Sequence, residues 1–110
     1  ADRLDFYFRD FPVMDDKARQ KFLVPSAEQL LRGFHDAIAE GPWEEAPLEE
    51  RANAFLAREN IQIKDLAQPA RVALTGRTAS PGLYQVLFVL GKERALARLL
   101  RAADLSAGKA

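Results

Sequence analysis

Apolar residues recur along most of this chain at spacings of three and four, the repeat of a helix with one buried face. Leu30, Leu31, Phe34, Ala37 and Ile38 form one such stripe. Pro25-Ser26 stands before it, and Gln29 follows Ser26 by three. That is the spacing of a capping box, in which each side chain satisfies a free backbone N–H of the other residue. Gly41 offers a left-handed stop and Pro42 bars continuation. These signals predict a helix over 27–40.

The same grammar repeats downstream. Pro47 suits the first position of a helix over 47–59, with Glu49 and Glu50 in the dipole-favoured first turn and Asn60 at its end. Its stripe is Leu48, Ala52, Phe55 and Leu56. Residues 64–67 read as a helical turn, after which Pro69 opens a helix that Gly76 closes. Ser80-Pro81 reads as a hydroxyl cap followed by proline, ahead of Leu83, Val86, Leu87 and Leu90. Gly91 interrupts, and Leu96, Leu99, Leu100 and Ala103 continue on a last helix over 92–103. Near the start, Leu4, Phe6, Tyr7, Phe8 and Phe11 suggest a short helix or an aromatic plug over 3–11. A loop with Pro12 and Asp15-Asp16 follows, then a helical turn over 17–22. Alternation is confined to Ile61-Gln62-Ile63, too short for a sheet strand. The expected fold is all-α: a compact single-domain bundle, or helical cage, of about five to seven short helices spanning 1–104. Residues 105–110 are expected to be a flexible tail.

Composition narrows the function classes. The 110 residues suffice for one hydrophobic core. There is no cysteine, which excludes disulfides and thiolate metal sites. The longest apolar run, Val86-Leu87-Phe88-Val89-Leu90, falls far short of the roughly 20 residues a membrane helix needs. The plain expectation is a cytoplasmic monomer without membrane contact. The chain opens on Ala1 rather than Met and is expected to be a piece of a longer one.

Net charge is zero, but it is unevenly spread. The first 60 residues hold 8 Lys/Arg against 13 Asp/Glu, and the last 50 hold 8 against 3. A phosphate-contacting face backed by a solvated acidic face has this distribution, and so does a salt-bridged bundle. Charge alone leaves both open.

No catalytic constellation is visible. His35 is the one histidine and reads as an ordinary boundary residue. The carboxylates read as solvated decoration, and no glycine-rich phosphate loop is present. Trp43 is either a base-stacking platform or, the plainer reading, a hydrophobic clasp on a helix end. The catalytic and metal sets are expected to be empty. Chemistry concentrates instead in the stretch 64–98. Gln68 and Arg71 stand three apart, so they share a helix face. Gly82 and Leu83 lie at a helix start, where N–H groups lack partners inside the helix and can donate to a phosphate or a base edge.

The run Gln68-Pro69-Ala70-Arg71-Val72-Ala73-Leu74-Thr75-Gly76-Arg77, then Ser80-Pro81-Gly82 and Leu90-Gly91-Lys92-Glu93-Arg94, resembles the C-terminal signature of bacterial glutamyl-tRNA synthetases. The likeness extends more loosely over nearly the whole chain. It departs at Ala70, where the family usually has leucine, and near Asp65, where glycine is frequent. The resemblance implies a helical anticodon-binding domain that contacts the first two anticodon bases of tRNA-Glu. It carries the base-contacting roles onto Gln68, Arg71 and Leu83. Arg77, Gly82, Lys92 and Arg94 would assist, mainly at the RNA backbone. Arginine's planar fork can stack on a base or donate two parallel hydrogen bonds, and the glutamine amide can match a pyrimidine edge. Leu83 would add a backbone donor and an apolar wall. The resemblance further implies that ATP and Mg belong to a catalytic domain elsewhere in a parent glutamate–tRNA ligase. This stretch would then hold no cofactor and no catalytic site, and its partners would be tRNA-Glu and the rest of the synthetase chain. The alternative is a helical protein-interaction module built on the same fold.

Overall fold

The computed structural model describes residues 15–77 and 82–108, which form six α-helices and no strand. The expected aromatic element over 3–11 and the Ser80-Pro81 cap lie outside the described residues. The helices are α1 (Asp16–Phe22), α2 (Pro25–Ala39), α3 (Glu45–Glu59), α4 (Ile63–Thr75), α5 (Leu83–Leu90) and α6 (Lys92–Ser106). The all-α fold is as expected.

Helices α2 and α6 form the central pair. Helix α3 packs on α2. Helix α4 lies against both α2 and α6, and α5 touches α3, α4 and α6. Helix α1 docks on α4. The core is continuous, with Leu31, Phe34, Ile38, Leu48, Leu66, Leu74, Leu87 and Leu99 fully enclosed. The Phe34 and Phe55 rings meet with centroids 6.2 Å apart. On the surface, Arg32 binds Glu28 and reaches Asp104 at 2.6 Å, pinning α2 to α6.

Several boundaries move for identifiable reasons. Helix α2 begins at Pro25, with Val24 as its cap and no side-chain cap bond, so the expected Ser26–Gln29 box does not form. Proline's fixed φ and missing N–H suit the first helical position, which draws Ser26 inside the first turn. At the other end Arg51 of α3 donates to the Ile38 carbonyl at 3.1 Å. A Cβ on Gly41, whose φ is +115°, would come within 2.8 Å of that guanidinium. Helix α3 starts at Glu45, two residues before Pro47. An N–H in the first turn has no helical partner, so proline costs nothing there. It ends as expected, on Asn60 in the left-handed region.

The largest change concerns α4. The expected turn over 64–67 and the helix from Pro69 are one continuous helix with Pro69 inside it. A capping box of Gln62 and Asp65 opens it. Pro69 removes the N–H that would have paired with the Asp65 carbonyl, but Asp65 is exposed and water can replace that bond. Gly76 closes the helix at φ +81°. At the C-terminus, α6 continues past Ala103 to Ser106, which is buried and donates to the Ala102 carbonyl at 2.9 Å. The expected tail boundary after Asp104 therefore falls too early.

Candidate nucleic-acid interface

Helix α4 carries the centre of the site. Gln68 and Arg71 are one turn apart, about 4.5 Å along the axis, and both are half-buried. Gln68 Oε1 and Arg71 Nε are shielded from solvent and have no hydrogen-bond partner among the described residues. A buried polar atom left unpaired costs about 1–3 kcal/mol, so each such atom in a native structure calls for an explanation. The opposite face of α4 explains why the two cannot turn away. Leu66, Ala70, Ala73 and Leu74 are embedded in the core and fix the rotation of the helix.

The end of α4 is braced. The buried Thr75 hydroxyl donates to the Arg71 carbonyl at 2.8 Å and accepts from the Arg77 N–H at 3.2 Å. Arg98 of α6, with no exposed surface, donates to the Leu74 carbonyl at 2.6 Å. The Asp15 N–H reaches the Gly76 carbonyl at 2.8 Å, fastening the head of α1 to the foot of α4. A shallow groove of about 320 Å³ lies between α1 and α4, lined by Asp15, Lys17, Ala18, Lys21, Phe22 and Gln68.

The other expected residues are distributed less tightly. Gly82 and Leu83 stand at the head of α5, where no side chain among the described residues caps the helix. The Leu83 side chain points into the core and is 5% exposed. It therefore presents no apolar wall, and only its backbone N–H is left for an outside acceptor. Lys92 and Arg94 stand at the head of α6, beyond the far end of α5. The eight residues of α5 put about 12 Å between the two helix heads. Arg77 is exposed, but neither Arg77 nor Arg94 is without a partner in the chain. The basic half of the sequence is thus not one free surface, and Arg98 serves the interior outright.

The remaining candidates are structural. Trp43 donates its Nε1–H to the Leu87 carbonyl at 2.7 Å, so it clasps α5 rather than stacking on a base. His35 Nδ1 lies 2.9 Å from the Asp36 carboxylate next to it. Among the described residues no group of histidines and carboxylates could hold a metal ion, and no helix is long and apolar enough to cross a membrane. Sequence reasoning missed Lys17 and Lys21. Their spacing of four was visible, but nothing in the sequence showed that α1 would dock beside Gln68.

A family model described as an anticodon-binding domain matches residues 1–103. Glutamate–tRNA ligase 1 of Syntrophus aciditrophicus is 39% identical over 102 residues, 92% of this chain and 22% of that protein. A glutamate–tRNA ligase of Rhodopseudomonas palustris is 41% identical over 107 residues, 96% of this chain and 22% of its own length. The crystal structure of a glutamate tRNA ligase from Elizabethkingia meningosepticum, in complex with its amino acid, superposes with a TM-score of 0.83. That match covers 91% of this chain and 20% of the other. At 21% identity, it shows the shared fold. The chain thus spans about a fifth of the length of the relatives it matches.

Proposed function

The chain belongs to the anticodon-binding domain family, and on that premise we propose that it recognises tRNA-Glu by reading the first two anticodon bases. Gln68 and Arg71 make the base contacts, and the Leu83 N–H adds a donor. The observation that carries this reading is the pair of enclosed polar atoms, Gln68 Oε1 and Arg71 Nε, one turn apart on α4 and without a partner among the described residues. Unpaired loop bases expose both their pairing edges and their faces. An amide and a guanidinium one turn apart offer a donor–acceptor pair and a planar fork to meet them. Gly82 lets the backbone approach, while Arg77, Lys92 and Arg94 add attraction that does not depend on sequence.

In this reading the domain works as part of a larger glutamate–tRNA ligase in the cytoplasm. Catalysis, with ATP and Mg, is the task of another domain of that enzyme. This chain alone then forms no glutamyl-adenylate and charges no tRNA, and it binds as a monomer. A second reading, a protein-interaction module, draws on a different surface: Phe88 and Val89 on α5 are each about half exposed. The deciding experiment is the affinity of the chain for transcribed tRNA-Glu, compared with transcripts changed at the first or second anticodon base. Each base change should weaken binding by about 5- to 150-fold, the equivalent of 1–3 kcal/mol. Equal affinity for all transcripts would end the base-reading proposal, and no affinity for any would favour the second reading.

A further inference from the structure

The groove between α1 and α4 holds more than Gln68. Lys17 and Lys21 are four apart on α1, on one face, and both are exposed and line the same groove. We infer that these two lysines bind phosphates of the RNA strand whose bases reach Gln68 and Arg71. The inference rests on the RNA-reading function proposed above and extends it to a helix outside the signature.

The placement of α1 supports this. Its head is tied to the foot of α4 by the Asp15 N–H on the Gly76 carbonyl, and the Asp15 carboxylate caps α1 itself by accepting from the Ala18 N–H at 2.9 Å. Among the described residues Asp15 is the one carboxylate lining the groove, and the bond from the Ala18 N–H holds it at the helix start. No ion pair involving Lys17 or Lys21 is present among the described residues. The Lys21 ammonium lies 5.3 Å from the centroid of the Phe22 ring, which also lines the groove. A lysine is a mobile point charge with no planar geometry to satisfy, which suits phosphates better than base edges. The division of labour is then spatial: α1 seats the backbone, and α4 reads the bases.

The test uses the 110-residue chain carrying Lys17→Glu with Lys21→Glu, and separately Lys17→Gln with Lys21→Gln. Arg71→Ala serves as the base-contact comparison. Affinities for transcribed tRNA-Glu and for the same transcript with its first anticodon base changed are measured across a salt series. Both lysine pairs should weaken binding to the two transcripts by the same factor. Each should also flatten the log–log salt slope by about 0.7 per lost phosphate contact, or about 1.4 together. Both side chains are exposed, so melting temperature should hold, and the glutamine pair supplies the reading if charge reversal perturbs folding. Unchanged affinity and slope, with Arg71→Ala still harmful, would overturn the inference and leave base reading intact. A lysine effect on one transcript only would overturn it as well. If the unmodified chain binds neither transcript, the inference falls together with the proposed function.

Discussion

Replacing Gln68 with methionine should raise the stability of the domain and lower its affinity for tRNA. Methionine has nearly the length of glutamine and a similar helix propensity, so α4 and its packing are retained. The change removes Oε1, which is shielded from solvent and has no partner among the described residues. An unpaired buried acceptor costs about 1–3 kcal/mol. Gln68 is only half-buried, and its amide nitrogen loses contact with water in the variant, so the lower end applies. A gain of about 1 kcal/mol should raise the melting temperature of a domain this size by roughly 4 °C. If Gln68 reads a base as proposed, the same substitution leaves that base edge unpaired and should weaken binding of unmodified tRNA-Glu by about 5- to 150-fold. Thermal denaturation followed by circular dichroism gives the first quantity, and titration with the transcript gives the second. A function-linked site is the place where opposite signs are expected, because stability is sacrificed there for a ligand's benefit. A lower melting temperature with unchanged affinity would make Gln68 a structural residue and not a base contact.

Three further outcomes test the scaffold. Arg98→Ala should cost about 3–5 kcal/mol in urea unfolding, since it strips the Leu74 carbonyl of a 2.6 Å donor and leaves a cavity in the core. A loss under about 1 kcal/mol would contradict that. Gly91→Ala separates backbone strain from crowding: no atom lies within 4 Å of an added Cβ, yet φ is +86° and ψ 158°. It should still cost about 1–3 kcal/mol, and a neutral result would show that the α5–α6 junction can relax. The Tyr84 phenol is held above its ordinary value, first by burial and then by the charge of Glu49. The folded chain therefore keeps this proton where the unfolded chain loses it. The associated stability is complete below the ordinary phenol value of 10.0 and declines as pH rises past it. Tyr84→Phe should flatten that alkaline decline in a pH series of melting curves, and an unchanged slope would dismiss the effect.

Helices with a clear apolar stripe were legible in the sequence because burial alone defines them: Leu30 through Ile38 in α2, Leu48 through Leu56 in α3, and Leu83 through Leu90 in α5. The glycine and asparagine stops at Asn60, Gly76 and Gly91 were legible for the same kind of local reason. Where a local rule met tertiary packing, the packing decided. Pro69 reads as a helix start, yet it is buried inside α4, where the Gln62–Asp65 box and the core contacts outweigh one missing N–H. Trp43 could have faced a ligand or a helix end, and only the approach of α5 settled it. The adjacency of Gln68 and Arg71 followed from their spacing of three. The inward turn of Leu83, the burial of Arg98 and the docking of Lys17 and Lys21 beside Gln68 did not. Each depends on which helices meet, and helix periodicity carries no information about that.

In the proposed function an anticodon supplies the partners that Gln68 Oε1 and Arg71 Nε lack among the described residues. The most direct measurement follows the Arg71 Nε–H resonance of ¹⁵N-labelled protein while a hairpin with the glutamate anticodon is titrated in, against a hairpin changed at its first anticodon base. Arg71 Nε–H should shift downfield and exchange more slowly with solvent, and the Gln68 side-chain amide should shift with it. Both should be much reduced with the altered hairpin at equal concentration. Unmoved Arg71 and Gln68 signals, with the largest changes centred on Phe88 and Val89 of α5 instead, would contradict it.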